Sequence, residues 1–276
     1  MVIPTYNSAS TIHRCLDSIV GQTVTPKEVL IVDRFSIDGT LEIAKKFGAK
    51  VIQANANRSL GRNIGLKESG SDGIIFVDAD MRLAQDLVGE CSRRLEECQA
   101  LVIPEISFGE GFWAKCKSLE RQTHLNSDLE AARCFRRTAL LALGGYDPTL
   151  EAGEDWDLHN RANALGLSIG RTEARILHDE GDAPLLGILR KKYFYGATLG
   201  AYMDSYPQAR KTQLNPIRRI IYPTFKVMPT DPLHGIGVLI LKSLEFIVAG
   251  FGLLTSTVAR KLKKRTPESQ RPSNRK

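Results

Sequence analysis

The chain has 276 residues, of which 42% are hydrophobic, 25% charged and 7% aromatic; it is long enough to bury one sizeable core, and bulk disorder is excluded. Its formal net charge of +7 suggests nucleic acid until it is located, because eight basic residues from Arg260 onward against the single acid Glu268 account for all of it. A basic tail directly after an apolar stretch reads as a membrane flank facing anionic lipid on the cytoplasmic side, with no nucleic-acid partner; a solvated, disordered tail has the same composition.

The first hundred residues alternate short apolar runs with helical patterns. Val2-Ile3-Pro4 is a first strand, residues 10–20 a helix, 28–32 a strand, 41–47 a helix and 50–53 a strand; residues 60–68 are a helix, 73–77 a buried strand and 83–95 a helix. Such alternation predicts an α/β fold, a mostly parallel Rossmann-like sheet with helices on both faces, whose ligands bind beyond the carboxyl ends of the strands. Polar residues follow Val2-Ile3-Pro4 at once, so no signal peptide is expected, and so short a first strand is what a truncated or misassigned start leaves. After residue 100 the rhythm changes to an aromatic loop (108–113), a helix to about residue 126, a short segment 131–136, a polar helix from Glu154 to Leu165 and an extended run 168–178. The five cysteines, Cys15, Cys91, Cys98, Cys116 and Cys134, have neither metal-site spacing nor an even count, which fits a reducing compartment.

The C-terminal quarter differs in kind. Residues 185–202 mix apolar residues with Arg190, Lys191, Lys192 and Tyr193, Phe194, Tyr195, the makeup of an interfacial helix. Residues 233–254 are apolar over about the length that crosses a bilayer, interrupted by Lys242 and Glu245, which can pair at i, i+3. Both a span and a surface-lying segment fit this pattern. The resulting division is a catalytic domain over residues 1–182, amphipathic interfacial helices over 183–230, an apolar membrane-associated segment over 231–259 and a basic tail over 260–276.

Asp78-Ala79-Asp80 follows the apolar strand 73–77. Two carboxylates one residue apart at a strand end can hold Mg2+ or Mn2+ and, through it, a diphosphate; alone, the pair reads equally well as a solvated Asx turn. Its company is more specific. Val2-Ile3-Pro4-Thr5-Tyr6-Asn7, the segment from Ile31 through Asp33-Arg34-Phe35-Ser36 to Thr40, Gly61-Arg62-Asn63, Val77-Asp78-Ala79-Asp80, Gly144-Gly145-Tyr146-Asp147 and Glu154-Asp155-Trp156-Asp157-Leu158 occur in this order. Over roughly residues 1–180 the chain resembles the family 2 glycosyltransferases, which have the GT-A nucleotide-sugar-binding fold.

The resemblance implies an inverting enzyme that uses a nucleotide-sugar donor and a divalent cation. It implies that Pro4, Thr5 and Asn7 border the nucleoside, that the loop at Asp33 reads base or ribose, and that Arg62 faces the base or the diphosphate. Asp78 and Asp80 would hold Mn2+ or Mg2+, with His178 as a third ligand or else a hydrogen-bonded structural residue. Asp155 would be the general base with Glu154 supporting it; without the resemblance both read as first-turn acids favoured by the helix dipole. Trp113 and Trp156 either line the acceptor path or pack their helices. One departure is that Arg34 and Phe35 stand where the family often has a second Asp and a small turn residue, which leaves the donor base open. The expected acceptor is a hydroxyl on a glycan or a lipid-linked glycan at the membrane. A polyprenyl phosphate is the alternative, and a non-catalytic nucleotide-sugar-binding membrane protein the third reading.

Overall fold

The computed structural model describes residues 1–265, without the side chains of Arg210 and of residues 259–265, so most of the expected basic tail lies outside the described residues. Strands and helices alternate through β1 (Val2–Thr5), α1 (Ala9–Val20), β2 (Leu30–Asp33), α2 (Thr40–Lys46), β3 (Lys50–Gln53), α3 (Arg58–Glu68) and β4 (Gly73–Ile75). β1 pairs with β2 and β2 with β3, all parallel, with Pro4 opposite Val32 and Thr5 opposite Asp33. A bridge between Val2 and Phe76 carries the order on to β4.

Successive side chains of a strand point to opposite faces. Ile3, Ile31, Ile75 and Val77 therefore join Ile12, Cys15, Leu16 and Ile19 of α1 in one core, while Val2, Leu30, Ile74 and Phe76 join Leu66 of α3 in a second. Both faces being covered, these strands are continuous apolar runs. The helix α3 lies close on β1: a Cβ at Gly65 would sit 2.2 Å from Cγ1 of Val2. Gly65→Ala is expected to cost about 1–3 kcal/mol as α3 is pushed off the sheet, read as a lower urea midpoint with an unchanged slope.

The second half contains β5 (Met81–Leu83), α4 (Leu87–Arg94), β6 (Ala100–Val102), β7 (Glu105–Phe108), α5 (Phe112–Gln122), β8 (Ala132–Arg136), α6 (Arg137–Ala142), α7 (Glu154–Ala164), β9 (Ile169–Arg171) and β10 (Ile176–Asp179). β8 inserts antiparallel between β4 and β6, and β9 extends the sheet in parallel with β6. A small sheet β5-β10-β7 stands beside it.

Two expected elements are each divided here. The run 83–95 begins as β5, because Met81 and Leu83 pair with β10, and only then becomes α4. The run 168–178 is two strands in different sheets, separated where the Glu90 carboxylate accepts hydrogen bonds from the amides of Glu173 and Ala174. Partners distant in sequence decide both. The last elements are α8 (Leu185–Thr198), α9 (Gly200–Ser205), α10 (Tyr222–Val227) and α11 (Pro232–Arg265), and α11 packs on α8 and α5. Its portion Pro232–Val258 is long and apolar enough to cross a membrane by length and composition.

Candidate active site

The carboxyl ends of β1, β2 and β4 open into a cleft lined by Pro4, Thr5, Tyr6, Arg34, Arg58, Asp78, Asp80, His178 and Lys191. Pro4 and Thr5 lie at the end of β1. Asn7 and Asp33 brace the cleft from behind. The Asp33 carboxylate is fully buried and accepts hydrogen bonds from the Thr5 hydroxyl at 2.9 Å and from the Ser36 amide at 2.8 Å. Asn7, with φ of 49°, accepts at its side-chain oxygen from the Ile37 amide at 3.0 Å. Together they shape the loop that presents Arg34, whose guanidinium lies 5.6 Å from the Tyr6 ring.

Arg62 is the centre of the site. It is 0% exposed; Nη1 donates to Asp155 at 2.7 Å and lies 3.4 Å from Glu154, while Nη2 donates to Asp78 at 2.9 Å. Its guanidinium also lies over the Tyr146 ring at 4.8 Å. The following residue, Asn63, clamps the Tyr146 backbone, accepting from its amide at 2.8 Å and donating to its carbonyl at 2.7 Å. The motif Gly61-Arg62-Asn63 thus ties the strand end at Asp78 to the Gly-Gly-Tyr-Asp turn and to the first turn of α7.

Two further arginines complete the charge balance. Arg58, one helical turn before Arg62 on α3, pairs with Glu154. Arg133 of β8 pairs with Glu105 and reaches Asp78 at 3.5 Å and Asp155 at 3.9 Å. Burial opposes ionisation of Asp78, but Arg62, Arg133 and Arg58 outweigh it and hold that carboxyl far below the usual range. Asp155 is shifted in the same direction, burial being overcome by the same three arginines. Glu154 moves the other way, because burial and the neighbouring Asp155 charge together push it up.

Neither Arg58 nor Arg133 was expected from the sequence. The i, i+4 spacing of Arg58 and Arg62 was a readable sign, and so was the buried strand Ala132–Arg136 that carries an arginine at its second position.

Asp80 and His178 meet at the other side of Asp78, Nε2 of His178 lying 3.4 Å from Oδ2 of Asp80. Among the described residues no three His, Cys, Asp or Glu side chains surround a common metal position. Two protein ligands nonetheless suit Mg2+ or Mn2+, which are usually completed by substrate phosphates and water. The buried Oδ1 of Asp80 and Nδ1 of His178 have no hydrogen-bond partner, and burial pushes His178 below its ordinary pKa despite Asp80, leaving the neutral imidazole that ligates metals. The donor set fits such an ion. The two tryptophans do structural work: the Trp156 indole donates to the Leu129 carbonyl at 3.0 Å, and Trp113 packs edge-on to Phe112 against the buried cluster of α5 and α11.

Solved structures of TarS from S. aureus share this architecture. The one in complex with UDP-GlcNAc has a TM-score of 0.54 at 18% identity, covering 94% of this chain and 90% of that one. The one in complex with UDP has a TM-score of 0.52 at 19% identity, covering 95% and 90%. The fold is GT-A. A family model described as Glycosyl transferase family 2 matches residues 1–144, and the chain belongs to that family. Among curated relatives it is 34% identical over 106 residues to glycosyltransferase GlyA of Streptococcus pneumoniae, covering 36% of this chain and 15% of that protein. It is 29% identical over 143 residues to the uncharacterized glycosyltransferase EpsJ of Bacillus subtilis, covering 50% and 40%. With the poly(ribitol-phosphate) beta-N-acetylglucosaminyltransferase TarP of Staphylococcus aureus it shares 35% over 89 residues, covering 29% and 27%. The chain therefore matches less than half the length of each of these curated relatives.

Proposed function

We propose that the protein moves a sugar from a nucleotide-sugar donor to a hydroxyl acceptor in one in-line displacement that inverts the anomeric centre. The observation that carries this reading is the single guanidinium of Arg62 shared by Asp155 and Asp78. It holds a candidate base at a set distance from the strand end where a donor diphosphate would lie.

Pro4 and Thr5 border the nucleoside, Asn7 and Asp33 position the loop beside it, and Arg34 with Tyr6 forms its outer wall. A uridine diphosphate sugar is the first donor to try, since the similar TarS structures hold UDP and UDP-GlcNAc. Asp78, Asp80 and His178 form the phosphate end, with Asp80 and His178 supplying ligands to Mn2+ or Mg2+ and Asp78 turned to Arg62. Such a cation supplies positive charge against the leaving diphosphate. Arg58 and Lys191, which line the same cleft, add their own charge.

Asp155 accepts the acceptor hydroxyl proton as the oxygen bonds to the anomeric carbon and the bond to the diphosphate breaks. Glu154, tied to Arg58 and Arg62, supports it. The acceptor is a glycan, free or lipid-linked, at the cytoplasmic face of a membrane, and the excess positive charge near the C-terminus supports that siting. A polyprenyl-phosphate acceptor is the second reading, favoured by the close engagement of Asp155 with arginine, which makes it a weaker base.

The test is a thermal-shift panel of nucleotide sugars with and without Mn2+ or Mg2+. A true donor at about 100 times its Kd stabilises by about 2.7 kcal/mol. Asp80→Asn and His178→Ala are expected to abolish the metal-dependent part of that shift. Failure of every nucleotide sugar to stabilise the protein would overturn the proposal.

A further inference from the structure

The helix α11 is inside out for a protein in water. The two charged residues in its apolar stretch face the catalytic domain: Lys242 is 2% and Glu245 3% exposed, with Nζ of Lys242 bonded to Glu245 at 2.7 Å and to Glu120 of α5 at 3.0 Å. Lys192 of α8 joins them at 3.4 Å from Glu245. Its opposite face carries Leu233, Ile236, Ile240, Ile247, Phe251 and Leu254, between 47% and 65% exposed. Their spacing of three, four and seven residues is one stripe of a helix. A continuous exposed apolar stripe of this kind marks a surface that something covers.

We propose that α11 lies flat on an anionic bilayer, its Leu/Ile/Phe stripe in the interface, without crossing the membrane; this rests on the membrane siting proposed above. Charge selects the occupant. The segment 205–230, whose helix α10 packs against α11, carries Arg210, Lys211, Arg218, Arg219 and Lys226 with no acid of its own, Arg218 being paired with Asp128 at 3.0 Å. Interleaved with them are Ile217, Tyr222 and Phe225, which are 67%, 58% and 71% exposed. Basic side chains alternating with exposed apolar and aromatic ones, followed by the basic C-terminal residues, suit a negatively charged lipid surface.

Packing argues against a span. The inner face of α11 is fastened to α5 and α8 between Gly237 and Gly252: Gly237 meets Phe112 and Cys116 of α5, and Gly252 meets the Tyr193 backbone of α8. The helix α5 in turn packs on β7, with Lys117 and Arg121 pairing with Glu180 and Glu105. An upright α11 would draw Glu120, Lys117, Arg121 and Lys192 into hydrocarbon, where ionised groups are costly. Lying flat leaves every one of these contacts intact. It also sets α8, which supplies Lys191 to the donor cleft, beside the lipid surface.

The experiment uses the full chain with sedimentable vesicles of phosphatidylcholine alone or with about one third phosphatidylglycerol. The expected result is co-sedimentation with the anionic vesicles only, release by alkaline carbonate, and digestion of the C-terminal residues by protease added outside. The combined Ile236→Asn, Ile247→Asn and Phe251→Asn variant is expected to bind roughly tenfold more weakly or worse. Its nucleotide-sugar thermal shift, unchanged, shows that it is folded. The pair Lys211→Glu and Lys226→Glu tests the charge arm with the same control. Resistance to carbonate with a protected C-terminus means a span, and overturns the flat geometry while sparing membrane attachment. No binding to any vesicle overturns both. Binding unaffected by the apolar variant, or a lipid-indifferent dimer that the variant dissociates, overturns the proposal as well.

Discussion

Asp155→Asn is expected, on the proposed function, to lower turnover with a hydroxyl acceptor by about two to four orders of magnitude, the usual contribution of a positioned base. Donor binding is expected to be unchanged, because Asp155 belongs to α7 and does not line the donor cleft. The measurement is nucleoside diphosphate release under saturating donor, with thermal shift reporting donor affinity on the same sample. A phosphate acceptor arrives already ionised, so an unchanged rate with Asn at this position would transfer the case to the polyprenyl-phosphate reading.

The pH profile separates Asp155 from its neighbour. Burial disfavours the charge of Asp155, but Arg62, Arg133 and Arg58 prevail and hold its carboxyl below the ordinary aspartate range. A base works deprotonated, so activity should persist through pH 5 and fail only below the ordinary aspartate range. Burial and the charge of Asp155 push Glu154 above 4.5. An acid limb on the high side of 4.5 would therefore assign the base to Glu154 instead.

The acids of the site were legible in the sequence because each sits at a place that marks itself. Asp78 and Asp80 close an apolar run, and Glu154 and Asp155 open a polar helix behind Gly153. What they bond to was not legible. Arg62 reaches three carboxylates only because α3 lies close on β1 at Gly65 and because Asn63 pins the turn at Tyr146, both consequences of tertiary packing. Arg133 enters the site because β8 runs antiparallel between β4 and β6, a crossover that no local pattern announces. In the C-terminal helix, the i, i+3 pairing of Lys242 with Glu245 could be read from spacing, whereas the third and fourth partners, Glu120 and Lys192, could not.

Arg62→Met should be the most destabilising single change in the catalytic domain. Removing one partner of a buried ion pair typically costs about 3–5 kcal/mol, because the charge left behind has neither water nor a counter-ion. Here Asp78, Glu154 and Asp155 all lose a partner, with only Arg58 and Arg133 remaining to offset them. Lysine is no replacement: the fork of Arg62 uses Nη1 for Asp155 and Nη2 for Asp78, and a single ammonium cannot span both. The sign with pH follows from linkage. Asp78 and Asp155 have depressed pKa values in the folded protein, so the stability they contribute is present above the unfolded value near 3.9 and is lost as pH falls through the folded one. The deficit of the variant should thus be largest near pH 7 and shrink below about pH 4, as the abandoned carboxyls take up protons. Urea unfolding of both proteins at pH 7 and at about pH 3 measures this directly, and an equal deficit at the two values would mean that Arg62 stabilises the fold through its packing on Tyr146. Coupling of 0.5–3 kcal/mol in a cycle with Asp155→Asn is the typical range for residues in one network. Its presence would show that the positioning of the base and the stability of the fold draw on the same guanidinium.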